Sequence, residues 1–170
     1  MGELCVRGPI ITSGYFENPK ANEESFDSEG FYKSGDIGYC DGKSKKWYII
    51  DRKKEMIKVR GFQVAPPEIE GVLLSHPHIV DAAVIAVKHP AEPEMEHPRA
   101  YVVKRPVSES QSLDEKAIKA WCGERLANYK ELTGGVRFVE AIPKNPSGKI
   151  LKRILRDMAK KELEQGRARL

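Results

Sequence analysis

Between residues 2 and 51, short β-type runs alternate with Gly, Asn, Asp and Ser. Segments 3–7, 38–41 and 46–50 predict strands, while Asn18-Pro19 and Asp41-Gly42 predict turns. One short helix is expected near 20–26. A segment of this kind buries little core of its own and is expected to lean on something else. From Glu55 the pattern changes. Segments 56–59 and 62–64 predict a small hairpin. Pro66-Pro67 then opens a helix, because a first-turn proline gives up an N–H with no intrahelical partner. Ile69, Val72 and Leu73 recur at helical spacing, and His76-Pro77 closes the helix. A buried strand is predicted over 80–87, followed by a Pro- and Glu-rich loop and a second strand over 100–103. Ser112 and Glu115 form a capping box. The helix behind it carries Leu113, Ala117, Ile118, Trp121, Cys122 and Leu126 on one face. A short strand over 136–139 precedes a last helix from about Lys149, with Ile150, Leu151, Ile154, Leu155 and Met158 as its apolar stripe.

These elements predict an α+β fold: a short mixed sheet with about three helices, preceded by a β-rich segment. Composition narrows the class. With 40% apolar and 32% charged residues, the 170-residue chain has material for a core and a soluble surface. The longest apolar run, 82–87, is far below the roughly 18 residues a membrane span needs. Met1-Gly2-Glu3 is acidic, and the run behind it is broken by Arg7 and Pro9, so no secretory signal is expected. Cys5, Cys40 and Cys122 are odd in number and scattered, which fits reduced thiols inside a cell and no zinc site. None of the four histidines stands at metal-ligand spacing, and no metal site is expected.

The net charge is 29 − 25 = +4. From Ile142 onward there are nine cations (Lys144, Lys149, Lys152, Arg153, Arg156, Lys160, Lys161, Arg167 and Arg169) against Asp157, Glu162 and Glu164, a surplus of 9 − 3 = +6. The excess is therefore local. A solvated helix face accounts for 152–161, and the pattern lacks the interleaved aromatics of a nucleic-acid binder.

Four stretches carry more detail than a scaffold needs. In YKSGD at 32–36, Asp36 follows a glycine just before a strand. A carboxylate on a rigid loop suits a vicinal diol such as a ribose, although for a lone Asp after Gly a turn aspartate capping local amides is the better explanation. In DRKKEMIKVRGFQV at 51–64, Arg52, Lys53, Lys54, Lys58 and Arg60 surround Gly61. Strand alternation places Lys58 and Arg60 opposite Ile57 and Val59. This is either a solvated basic edge or an anion site with a close backbone approach at Gly61. PKNPSGK at 143–149 presents Lys149 where a helix is expected to begin, a place the helix dipole makes unfavourable for a cation unless an anion comes near. The fourth stretch is the cationic C-terminal run itself.

Together these stretches resemble the adenylate-forming enzyme superfamily: acyl-CoA synthetases, peptide-synthetase adenylation domains and beetle luciferases. GELCVRGPIITSGY at 2–15 is similar to the family's Gly-Glu strand motif, YKSGD to its ribose motif, DRKKEMIKVRGFQVAPPEIE to its hinge and thioester motif, and PKNPSGK to its catalytic-lysine motif. The wording Gly-Phe-Gln-Val-Ala-Pro is nearest to 4-coumarate–CoA ligases and luciferases. The resemblance implies a large-domain remnant over 1–51, a hinge over 52–55 and the small C-terminal lid domain over 56–170. It implies activation of a carboxylic acid by ATP to an acyl-adenylate, then transfer to coenzyme A with release of AMP. Lys149 would serve adenylation; Lys58 and Gly61 would serve thioester formation. Asp36 and Arg52 would hold the ribose, Gln63 would contact the nucleotide, and Lys54 would be the hinge residue.

Ser34 stands where the family usually has Thr. The stretch EPEMEHP at 92–98 departs from the common Gly-Glu before its proline, a change expected to affect loop shape and not catalysis. The family's phosphate loop, adenine site, Mg2+-binding glutamate and acyl pocket are not in this sequence. The chain alone is therefore expected to be inactive without a large N-terminal domain, through which Mg2+ would bind. A luciferase-like adenylating enzyme and a non-catalytic anion- or nucleic-acid-binding module are the competing readings. Ala168-Arg169-Leu170 resembles a peroxisomal import tail, which implies an import receptor and a peroxisomal location, the cytoplasm being the alternative.

Overall fold

The computed structural model describes residues 1–89, 92–108 and 112–167, with the side chains of 165–167 excepted. The C-terminal Ala168-Arg169-Leu170, on which the peroxisomal expectation rests, lies outside the described residues. The chain divides into two compact units, Met1–Lys54 and Glu55–Leu170.

The first unit is a three-stranded antiparallel sheet in the order β1-β2-β3, with β1 at Gly2–Val6, β2 at Tyr32–Cys40 and β3 at Trp47–Arg52. Its short helix α1, Pro19–Ser25, is capped by the Asn18 side chain, which accepts the Ala21 N–H at 3.1 Å. The only buried apolar side chain of this unit is Ile37. The middle strand is longer than expected: β1 reaches Lys33 and Tyr32 with Cys5 and Val6, so the YKSGD stretch lies on the strand and not in a loop before it. The register shifts between Glu3 and Cys5, leaving residues 34–36 as an outward bulge within the strand.

The second unit begins in a 3-10 turn, Lys53–Glu55, that crosses the unit boundary. A hairpin follows, β4 at Ile57–Val59 and β5 at Phe62–Val64, then α2 at Pro66–Leu74. Strands β6 (Ile79–His89), β7 (Glu92–Lys104) and β8 (Val136–Phe138) form a mixed sheet in that order, β6-β7 antiparallel and β7-β8 parallel. Helix α3 covers Glu115–Gly123 and α4 covers Lys152–Arg167. With α1, these make four helices and three small sheets among the described residues.

Period-2 alternation splits the core across the two faces of the β6-β7-β8 sheet. Ala82, Val84, Ala100 and Val102 pack with Ile69, Leu73, Ile118 and the hairpin residues Ile57, Val59 and Val64. Ala83, Ile85, Val87 and Tyr101 pack with Ile142, Leu155 and Ala159. Burial on both faces explains the continuous apolar run in β6.

Three expectations are corrected here. The Pro- and Glu-rich segment 92–98 is strand, not loop: Glu96, His97 and Pro98 pair with Lys88, Val87 and Ala86. Pro98 is tolerated because β8 reaches only Ala100–Val102, so only one strand flanks it there. The α3 cap is Asp114, whose Oδ1 accepts the Ala117 N–H at 2.8 Å, and not the Ser112–Glu115 pair. Helix α4 starts at Lys152, three residues after Lys149, because Ile150 bridges to Lys144 and the Leu151 N–H bonds to the Pro143 carbonyl at 2.8 Å.

Candidate functional site

In the first unit, β2 and β3 place Asp36 directly opposite Arg52. The Arg52 Nε lies 3.0 Å from Asp36 Oδ1, with 54% of the arginine side chain and 28% of the aspartate exposed. The Asp36 N–H donates to Ser34 Oγ at 3.1 Å, which stabilises the bulge. Beside them, Tyr32 and Tyr15 hydroxyls meet at 3.2 Å. That hydrogen bond, with the charge of Tyr15 next, raises the Tyr32 phenol above its ordinary value. The two predicted ribose residues are thus cross-strand neighbours on β2 and β3, an ion-paired carboxylate and guanidinium that are both partly exposed.

In the second unit, Lys58 and Gln63 face each other across the hairpin. Arg60 and Gly61 form its two-residue turn with φ of +47° and +85°, the double left-handed geometry of a type I′ turn. A Cβ at Gly61 would meet nothing within 4 Å, so only backbone conformation and open access constrain that position. Ile57, Val59 and Val64 are buried, while Lys58, Arg60 and Gln63 are exposed. The predicted alternation therefore holds. The Phe62 ring stacks on Tyr129 at 4.4 Å and 14°, and the Lys58 N–H donates to Glu96 Oε2 at 2.8 Å. Beside the hairpin lies a groove of about 690 Å³, walled by Arg60, Phe62, Met95, His97, Arg99 and Tyr129 among others. His97 is buried, its Nδ1 3.0 Å from Thr133 Oγ1 and its Nε2 3.2 Å from Glu92 Oε2. It therefore helps to shape the groove wall.

Lys149 sits in a closed loop. Asn145 Oδ1 accepts both the Lys149 N–H and the Ser147 hydroxyl at 2.8 Å, and the Asn145 N–H returns to the Lys149 carbonyl at 3.0 Å. Lys144 anchors this loop to Asp81 near the start of β6 at 2.6 Å. The Lys149 side chain is exposed, and no ion pair engages it among the described residues. The helix-start argument for it does not hold, since α4 begins later; the rigid loop replaces it. Three of the other C-terminal cations are ion-paired, with Lys152 and Glu70 mostly buried and Arg153 and Asp157 exposed. Lys152 lies 3.6 Å from Glu70, Arg153 lies 3.7 Å from Asp157, and Arg156 pairs with Glu55. Lys54 is exposed within the 3-10 turn at the unit boundary.

The Lys149 loop and the Lys58 hairpin are anchored at separate points along the β6-β7 pair. Asp81 anchors the Lys149 loop, whereas Glu96, which holds the hairpin, pairs with Lys88. Asp81 and Lys88 are seven positions apart on β6, roughly 23 Å of strand. Sequence reasoning missed Glu96, Tyr129 and Asn145. Asn145 lay within a recognised motif. Glu96 was hidden by prolines that make a strand look like a loop.

Residues 68–149 match the AMP-binding enzyme C-terminal domain. The chain carries an AMP-binding C-terminal domain. The hairpin of Lys58 lies just ahead of the matched stretch. Phenylacetyl-CoA ligase epaB of Aspergillus niger is 59% identical over 95% of this chain and 29% of its own length. Probable 4-coumarate–CoA ligase 2 of Dictyostelium discoideum is 44% identical over 92% of this chain and 27% of its own. The crystal structure of ATP-bound MatB from Rhodopseudomonas palustris superposes with a TM-score of 0.83 at 31% identity, covering 95% of this chain and 31% of that one. The resemblance to adenylate-forming enzymes holds, and the relatives that match include acyl-CoA ligases, 4-coumarate–CoA ligases and a luciferin 4-monooxygenase. The chain spans less than a third of the length of these curated relatives.

Proposed function

We propose that this chain is the C-terminal part of an AMP-forming acid–thiol ligase. Its first unit would end the large domain, Lys54 would lie in the hinge, and the second unit would be the lid. In the first half-reaction a carboxylate oxygen attacks the α-phosphorus of ATP and pyrophosphate leaves. In the second, the sulfur of coenzyme A attacks the acyl carbonyl, and AMP leaves with the bonding electron pair. The charge that builds on the phosphoryl oxygens is stabilised by a positioned ammonium, the role given to Lys149. Asp36 and Arg52 bind the ribose hydroxyls. Lys58 and Gly61 serve the thiol step, and Gln63 contacts the nucleotide. The groove beside the hairpin, with Arg60 and the Phe62–Tyr129 stack, suits the nucleotide end of a thiol substrate. Mg2+ is implied by the resemblance, but no cluster of His, Cys, Asp or Glu suited to a metal occurs among the described residues. It would be held by the large domain, and no step here runs through it.

One observation carries this reading: the Lys149 loop and the Lys58 hairpin are anchored near opposite ends of one rigid sheet. Such a lid can present one cation for each half-reaction by reorienting as a body. In the complete ligase, Lys149→Ala is expected to lower ATP–pyrophosphate exchange about 100-fold or more. Conversion of added acyl-adenylate to acyl-CoA should stay within a few-fold of wild type. Normal exchange in that variant would overturn the assignment.

A further inference from the structure

The hairpin that carries Lys58, Gly61 and Gln63 is only three residues per strand and, among the described residues, pairs with no other strand. A two-stranded hairpin of that size does not hold its geometry in water unaided. Its inner face is fixed by the burial of Ile57, Val59 and Val64, and its tip by the Phe62–Tyr129 stack. Neither contact fixes the backbone at Lys58 itself. Val59 and Phe62 close the two-residue turn as a hydrogen-bonded pair. The next pair, Lys58–Gln63, is therefore a non-hydrogen-bonded one. The Lys58 amide consequently points away from β5, off the open edge of the hairpin.

Glu96 meets it there. Its carboxylate accepts the Lys58 N–H at 2.8 Å. A carboxylate–amide bond is stronger and more directional than a neutral one. Glu96 projects from β7 opposite Lys88, on the central sheet, and makes no ion pair among the described residues. The hairpin edge is thus tied to the central sheet of the unit at the residue whose ammonium is proposed to act.

We propose that Glu96 is a positioning residue for the thiol half-reaction: by accepting the Lys58 amide, its carboxylate sets where the Lys58 and Gln63 side chains stand. The inference rests on the ligase reading above. Adenylation does not depend on this contact, because the Lys149 loop is held by Asn145 and by Lys144–Asp81.

The test uses the complete ligase and three variants: Glu96→Ala, Glu96→Gln and Glu96→Asp. Two partial reactions are measured, ATP–pyrophosphate exchange and CoA-dependent AMP release from preformed acyl-adenylate, with thermal melting alongside. Misplacing a reacting group by about 1 Å costs up to about 100-fold. Glu96→Ala is accordingly expected to slow AMP release 10- to 100-fold while exchange stays within about threefold. Glu96→Gln keeps an acceptor at the same reach and should recover most of the rate. Glu96→Asp, one methylene short, should fall between, and this ordering can be read even if the alanine variant folds poorly. Equal losses in both partial reactions, unchanged AMP release, or a glutamine variant as slow as alanine would each overturn the inference. A wild-type enzyme that makes no acyl-CoA would instead sink the ligase reading, and Glu96's role with it.

Discussion

At the scale of single residues, chemistry here is set by how each group is held. Lys149 and Lys58 are both exposed lysines, distinguished from the other cations by rigid backbones: an asparagine-closed loop for one and a carboxylate-tied hairpin edge for the other. Asn145 and Glu96 could not be read from the sequence as partners, because each bond depends on where a loop or a neighbouring strand falls. Cys122 shows the opposite environment. It points into the core from α3, and burial pushes its thiol up to about 11, with the Arg125 charge acting in the opposite direction. At pH 8 about one molecule in a thousand would then carry a thiolate there. The expected outcome is that Cys122 resists an aromatic disulfide reagent in the native protein and reacts promptly in denaturant. Peptide mapping of the labelled cysteines would check it, and fast native labelling of Cys122 would contradict its burial.

At the scale of elements, α4 shows how far periodicity reaches. Its apolar stripe was legible, but the face was drawn too wide. Leu155 is fully buried and Ala159 nearly so, whereas Leu151 and Ile154 are each 36% exposed. The helix docks through the Leu155–Ala159 line against Ala83, Ile85 and Tyr101, and the Tyr101 hydroxyl donates to the Leu155 carbonyl at 3.2 Å. Leu155→Ala should therefore cost about 2–5 kcal/mol. Ile154→Ala should cost less, about 1–2 kcal/mol, since more than a third of its surface stays in water and it leaves no enclosed cavity. Urea denaturation of the two variants checks this, and equal losses would place the docking face elsewhere. The β6-β7 ribbon is the other lesson. Prolines 93 and 98 argued for a loop, and only pairing with β6 on one side reveals a strand.

At the scale of the molecule, the two units differ in what they bury. Both core clusters are drawn wholly from Ile57 onward, and the first unit contributes Ile37 alone to the buried apolar set. Residues 55–170 are expected to fold independently and melt cooperatively. Residues 1–54 alone should give the circular dichroism of a largely unfolded chain, since a three-stranded sheet without a covered face cannot offset the entropy of ordering it. Separate expression of the two pieces, followed by thermal melts, checks this. A cooperative transition in 1–54 would show that this sheet is stable without a core of its own.

The sequence by itself determined the element order, the hairpin with its alternating face, the wording of four motifs and the family to which they point. Those features are local: periodicity, turn chemistry and short motifs survive without knowledge of the fold. Tertiary structure decided which strands lie beside one another, and hence that Glu96 reaches the Lys58 amide. It also decided that Asp36 stands opposite Arg52 on a strand, that Asp114 caps α3, and that Lys149 precedes its helix in a closed loop. The Glu96–Lys58 and Asp36–Arg52 contacts depend on partners that meet only when the strands assemble and leave no periodic trace along the chain. The Asp114 cap and the Asn145-closed loop are local bonds, but which of several nearby polar side chains makes them is decided by the backbone path that the packed fold imposes.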